Sequence, residues 1–154
     1  MKHLFLILSF VLLSSCATHT SFNDFYQNNQ KESDFSLGLN ASIVRTFLPS
    51  EDYEDIKPIL KKAKHVRILV FTENTEQMGA KFNKFIKKSK FEKVIKVNDD
   101  GDKIGFFILE KKDKIKEIVL EISSDGDLVL LGLKTNLTQN DIDRFINDND
   151  ISFN

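Results

Sequence analysis

Apolar residues between positions 94 and 133 fall into four short runs, at 94–97, 104–109, 115–122 and 128–133. Asp100-Gly101 separates the first two, Lys112-Asp113 the middle two and Asp125-Gly126 the last two. Asp-Gly between apolar runs is the strongest short-range hairpin signal, because glycine tolerates the positive φ of a type I′ turn. The pattern therefore predicts a four-strand antiparallel meander, with the type of the middle turn left open. A fifth run at 66–71, rich in β-branched residues, reads as a buried strand.

The remaining apolar positions recur at helical spacing. Ile43, Val44, Phe47 and Leu48 mark a helix over 41–48 that Pro49 ends. Ser50 can cap a second helix carrying Tyr53, Ile56, Ile59 and Leu60, with a kink or restart at Pro58. Asn74 or Thr75 opens a long helix to about residue 90. Its stripe is Met78, Phe82, Phe85 and Ile86, with Lys81, Lys84, Lys87 and Lys88 opposite. Thr138 opens a last helix, with Asp141 placed for a capping box, Leu137 and Ile142 for a hydrophobic staple, and Phe145 and Ile146 continuing the buried face. The sum is an α+β domain: a mostly antiparallel sheet of about five strands, one helix-linked and four in a meander, packed with several amphipathic helices.

The N-terminus follows a different rule. Lys2 and His3 precede an apolar run at 4–13 broken only by Ser9, and Leu13-Ser14-Ser15-Cys16 follows. Ten residues are too few to span a bilayer, which takes about 20, and fit the apolar region of a secretory signal. Small residues before a cysteine form a lipobox. Cys16 is the only cysteine, and its thiol is the nucleophile that would take a diacylglycerol thioether. The motif resembles the bacterial lipoprotein signal, which implies cleavage after residue 15 and lipidation of Cys16. Ala17, with no Asp there, resembles the sorting pattern for the outer membrane, periplasmic face. Residues 1–15 are thus expected as signal peptide and 16–34 as lipidated N-terminus and flexible tether. Phe22, Phe25 and Tyr26 stand out in that polar stretch as a short helix that could dock on the domain. Residues 35–150 are expected as a single α+β domain.

Composition narrows the function classes. Removing residues 1–15 leaves 139 of the 154 residues, enough for one domain with a sizeable core. The formal charge of −1 becomes −2 without Lys2, a balance that does not announce a nucleic-acid partner. With its one cysteine acylated, the mature chain has neither disulfide nor thiolate chemistry.

Candidate chemistry is sparse. The mature chain keeps only His19 and His65, too few for a histidine-rich metal site. His65 reads as a strand-boundary residue, and Ser33, Ser36, Ser123 and Ser124 as loop or strand-end serines without a nucleophile elbow. Asn98-Asp99-Asp100-Gly101-Asp102 suggests calcium, but placing Gly101 at loop position 6 of an EF-hand puts Lys96 and Phe107 at positions that need oxygen ligands. A hairpin accounts for the same residues. Residues 81–93 carry six Lys and Glu92, and residues 139–150 carry four Asp and Arg144. Both are expected as solvated helix faces, with a basic face toward anionic lipid as the functional alternative for the first.

The sheet offers one lead. Ile104, Phe106 and Ile108, with Ile118, Leu120 and Ile122, define a face expected to form the core. The opposite face still carries Phe107, Leu109 and Val119. Helices are expected on both faces; left bare, the second would be a partner or ligand surface.

The chain resembles the domain-of-unknown-function 4252 family, lipoproteins found mainly in Bacteroidetes. The resemblance is carried by the lipobox at Cys16, by Ser42-Ile43-Val44-Arg45-Thr46-Phe47-Leu48-Pro49, and by Ile59-Leu60-Lys61-Lys62-Ala63-Lys64-His65-Val66-Arg67-Ile68-Leu69. Asp99-Asp100-Gly101-Asp102-Lys103 and Ile115-Lys116-Glu117-Ile118-Val119 complete it, so that it covers roughly residues 36–147. It implies no activity, cofactor or site residue beyond the lipidated cysteine.

The expectation is a lipid-anchored envelope lipoprotein, on the periplasmic side of the outer membrane, with a non-catalytic binding or interaction domain. Its partners are the bilayer, through acylated Cys16, and an envelope protein, with no nucleic acid, metal or cofactor. Two alternatives stand beside it: an enzyme with an unrecognised carboxylate- or serine-based site, and a binder of a small apolar ligand between helices and sheet.

Overall fold

The computed structural model describes residues 20–47, 57–99 and 101–148. The chain runs α1 (Phe22–Asn29), β1 (Phe35–Asn40), α2 (Ala41–Phe47), α3 (Lys57–Lys62), β2 (His65–Phe71) and α4 (Thr75–Lys88). It continues with β3 (Glu92–Asp99), β4 (Asp102–Glu110), β5 (Ile115–Ser124), β6 (Asp127–Leu137) and α5 (Gln139–Asp148). One six-stranded antiparallel sheet, in the order β1-β2-β6-β5-β4-β3, carries everything.

The four strands of the meander form as their alternation and turns dictate. Asp125 and Gly126 take φ of 52° and 89°, as a type I′ turn requires. Lys112 and Asp113, with no glycine, take φ of 53° and 56°, and Lys111 and Lys114 exchange backbone hydrogen bonds across them. The middle turn is therefore also a two-residue hairpin, closed against the preference of its own side chains.

The sheet has one strand more than expected. Residues 35–40 pair with β2 along its whole length, Leu37 opposite Ile68 and Leu39 opposite Val66. The stretch expected as tether also becomes structure from Phe22 onward. Ser21 and Asp24 form a reciprocal capping box at the start of α1. Phe22, Phe25 and Tyr26 are buried, because together they cover apolar sheet that would otherwise face water. Pro58 lies in the first turn of α3, where its missing N–H costs no helical bond. Asn74 takes the cap position of α4 at φ 52° without a side-chain cap. Asp141 completes the expected cap of α5, accepting from Thr138 N (2.7 Å) and Oγ1 (2.8 Å), and Leu137 and Ile142 are buried in one cluster. The signal and lipobox, Leu48 to Ile56 with Pro49, Ser50 and Tyr53, Asp100, and the side chains of Phe145 and Ile146 lie outside the described residues.

Helices lie on both faces of the sheet, as expected, but cover them unequally. Phe107, Leu109, Val119, Leu128 and Leu130, with Leu69 and Phe71, form the fully covered face, under α1 and the Met78, Phe82, Ile86 stripe of α4. Ile104, Phe106, Ile108, Ile118, Leu120 and Ile122 lie on the other face. Among the described residues α2, α3 and α5 cover that face at one end, burying Ile108 and Ile118, while Ile104 towards the other end is 43% exposed. Both faces of the meander are apolar, so alternation alone does not say which one receives the long helix.

Candidate functional site

The partly covered face forms an apolar groove. Strand register places Leu37 and Leu39 of β1, Val66 and Ile68 of β2, Leu131 and Leu133 of β6, Ile118 and Leu120 of β5, and Phe106 of β4 side by side across the sheet. Val44 and Phe47 of α2 and Ile59 and Leu60 of α3 wall one side. The groove encloses about 560 Å³, and each of its thirteen lining residues is aliphatic or phenylalanine. Phe47, at its rim, is 81% exposed. Arg45 fixes α2 to α3 from behind, donating to the Leu60 carbonyl at 2.9 Å.

A smaller polar cleft of about 260 Å³ opens on the opposite face, where α1 begins. His65, Arg67, Glu117 and Lys134 line it with Gly132. Phe22 N–H donates to Glu117 Oε2 at 2.7 Å, so the carboxylate serves the positive end of α1. Arg67 donates to Asn23 Oδ1 at 2.7 Å and lies over the Tyr26 ring. Burial pushes the Glu117 carboxyl up, against the Phe22 hydrogen bond and the charges of Lys134 and Lys111. Glu121, next on the same face, is also pushed up by burial, against Lys96 and Lys103.

Four residues of extended strand separate the Cα atoms of Glu117 and Glu121 by roughly 13 Å. Val119 lies between them. Glu117 and Glu121 are the polar groups that sequence reasoning missed. Their signal was a charged residue at each core-facing position on either side of Val119.

The expected candidates are dispersed. His65 starts β2 and lines the cleft. Ser33 donates to the Gln30 carbonyl, Ser36 lies in β1, and Ser123 and Ser124 end β5. Gly101 takes φ 97° between β3 and β4, as a hairpin glycine does. Among the described residues no group of three or more His, Cys, Asp or Glu is placed to hold a metal ion, and no helix is long and apolar enough to cross a membrane. Cys16 lies outside the described residues.

Sheet, helices and groove define an α+β domain with one closed and, among the described residues, one partly covered apolar face. The chain belongs to the family described as Domain of unknown function (DUF4252), whose model matches residues 26–145. Tyr26 in α1 begins the match, so the docked helix falls partly inside the family's domain. No curated protein and no solved structure matches the chain.

Proposed function

We propose that this protein is a lipid-anchored envelope lipoprotein whose domain, without catalysis, binds a hydrocarbon chain in the groove between α2, α3 and the sheet. The observation that carries this reading is the lining. Thirteen apolar side chains enclose about 560 Å³, within the usual range for small-molecule sites. An occupant gains by burying apolar surface, and any polar atom on its buried length would go unpaired. An extended peptide would strand its backbone N–H and C=O groups there. An acyl chain has none to strand. The lipobox at Cys16 supports a location where acyl chains are abundant, and Ala17 supports the periplasmic face of the outer membrane.

Two experiments test the two halves. Metabolic labelling with an alkyne fatty acid should mark the protein, and the Cys16→Ser chain should lose the label and appear in the soluble periplasmic fraction. An unchanged label or unchanged membrane association would refute the anchor. For the groove, an environment-sensitive fatty-acyl probe should brighten with the purified domain. Leu120→Glu should abolish the signal while circular dichroism stays native. Binding that survives Leu120→Glu, or a concentration-dependent dimer that excludes the probe, would refute the hydrocarbon reading.

A further inference from the structure

Antiparallel pairing collects loops that are far apart in sequence. Asn40, His65, Lys134, Glu117 and Leu109 lie in one row across the sheet. Beyond that row lie the α3–β2 junction, the β4–β5 turn and the α4–β3 junction, because β2 and β3 begin there and β4 ends there. Each of the three carries lysines: Lys61, Lys62 and Lys64 at the first, Lys111, Lys112 and Lys114 at the second, Lys87, Lys88 and Lys90 at the third. Eight of these nine are exposed and Lys114 is half-buried. Of these nine, only Lys62 forms an ion pair among the described residues, to Asp141 at 2.7 Å. The acids at this end, Glu92, Glu110, Asp113 and Glu117 with Asp24 of α1 and Asp141 and Asp143 of α5, are fewer than the lysines, and Lys116 and Lys134 add to the lysine side.

The other end of the sheet has the opposite sign. Asp102, Asp125 and Asp127 flank the hairpin turns there, and Glu73 and Glu76 stand where β2 passes into α4. A formal charge of −1 thus conceals a separation of charge along the strand axis. Lysines in the last turns of α3 and α4 also complement helix C-termini. The β4–β5 turn has no helix end to complement and still carries three.

The N-terminal chain enters the domain at this same end. Thr20 Oγ1 and Ser89 Oγ are 3.0 Å apart, with Ser89 set between Lys88 and Lys90, and Phe22 N–H reaches Glu117 beside them. Five residues of extended chain reach at most about 18 Å, which bounds the separation of Cys16 from Ser21. A lipid on Cys16 would therefore hold the lysine end, and not the acidic end, against the bilayer.

We propose that the lysine-rich end of the domain is a docking surface for the anionic phospholipid headgroups of the membrane that carries the anchor. This rests on the reading that Cys16 is lipidated. Each lysine in the field of an anionic surface tightens partitioning about five-fold, within a Debye length of about 10 Å at 0.1 M salt. The acidic end is repelled, so the same field fixes which way the domain stands and leaves the groove alongside the membrane surface.

The test uses the mature-length chain carrying Cys16→Ser, so that no lipid contributes. It should co-sediment with mixed phosphatidylglycerol and phosphatidylcholine vesicles, not with pure phosphatidylcholine vesicles, and added salt should release it. Lys111→Gln, Lys112→Gln and Lys114→Gln together should weaken binding about 100-fold, since three factors of about five multiply. The same change at Lys87, Lys88 and Lys90 should match it, and Asp125→Asn with Asp127→Asn should not weaken binding. Urea midpoints confirm that each variant is folded. Equal binding to both vesicle types, or full binding by both folded lysine variants, would overturn the proposal. An alkyne label that the Cys16→Ser chain retains would strike the anchor alone, because these vesicles report on unlipidated protein.

Discussion

Gly132→Ala should detach α1 from the sheet. A Cβ built on Gly132 stands 2.0 Å from Phe22 Cδ1, 2.4 Å from Cε1 and 2.7 Å from Cγ. Real carbon atoms do not approach so closely, and Cγ is the root of the ring. The ring therefore cannot clear the methyl by turning about Cβ–Cγ; it must change χ1 and leave its site, or the backbone must move. That backbone is held by the Glu117 hydrogen bond at 2.7 Å and by Asn23 and Tyr26 on Arg67. Either Phe22 leaves its site, losing roughly 1.5–3 kcal/mol of burial, or the strand shifts at about the 1–3 kcal/mol of an overpacked core. Alanine returns about 0.4–1 kcal/mol by restricting the unfolded chain. The net expectation is a loss of about 1–2 kcal/mol, read as a lower urea midpoint at near-constant m-value. Limited proteolysis should show new cleavage between residues 21 and 35. In a Phe22→Ala background the same substitution should become neutral or stabilising, because nothing then occupies the space. Gly132→Ala at wild-type stability, with α1 still protected, would refute the argument that the ring rests on the strand.

Further outcomes concern the Glu121 and Asp141 carboxyls and the middle turn. Burial raises the Glu121 carboxyl above its ordinary 4.5, so folding favours the protonated form; its share of stability is present at low pH and lost as pH rises through the raised value. Glu121→Gln should remove that decline, giving a midpoint advantage at neutral pH that shrinks on acidification; an advantage independent of pH would contradict it. Asp141 has the opposite sign: Lys62 and Thr138 hold it at about 2, so its contribution is lost only as pH falls from 3.8 through that value. Replacing Lys112-Asp113 by Asn-Gly should stabilise the domain by about 1 kcal/mol, since both residues sit at positive φ that Asn and Gly tolerate; an unchanged melting temperature would argue against strain there.

Much of the sheet was legible because the meander announces itself locally. Asp125-Gly126 and the apolar runs around it specify β5 and β6 without tertiary information. The α4 stripe was legible for the same reason, its period being set within one helix. β1 was missed although Phe35, Leu37 and Leu39 alternate, because Ser36, Gly38 and Asn40 leave a strand that only pairing with β2 sustains. The unequal cover of the two faces has a different origin. Phe106 and Phe107 are neighbours pointing opposite ways, and nothing in either says that α4 will cover Phe107. An apolar site between helices and sheet stood among the alternatives, but the face that carries it follows from that choice. The lysine end was hidden in a third way: 61–64, 87–90 and 111–114 are unrelated stretches until antiparallel pairing brings them to one end.

Glu117 and Glu121 have a consequence for how the chain finds its pairing. β5 is apolar on both sides, with Ile118, Leu120 and Ile122 backing Val119, so a strand shifted by one residue would still bury hydrocarbon. The two carboxyls break that symmetry. In the native register one meets the first N–H of α1 and the other lies near Lys96 and Lys103. Shifted by one, both would turn to the groove side of the sheet: in one direction Glu121 would stand between Leu131 and Phe106, in the other Glu117 between Leu133 and Ile108. Residues that weaken the folded state at neutral pH thus penalise its closest competitor more heavily, and the ladder has one way to close.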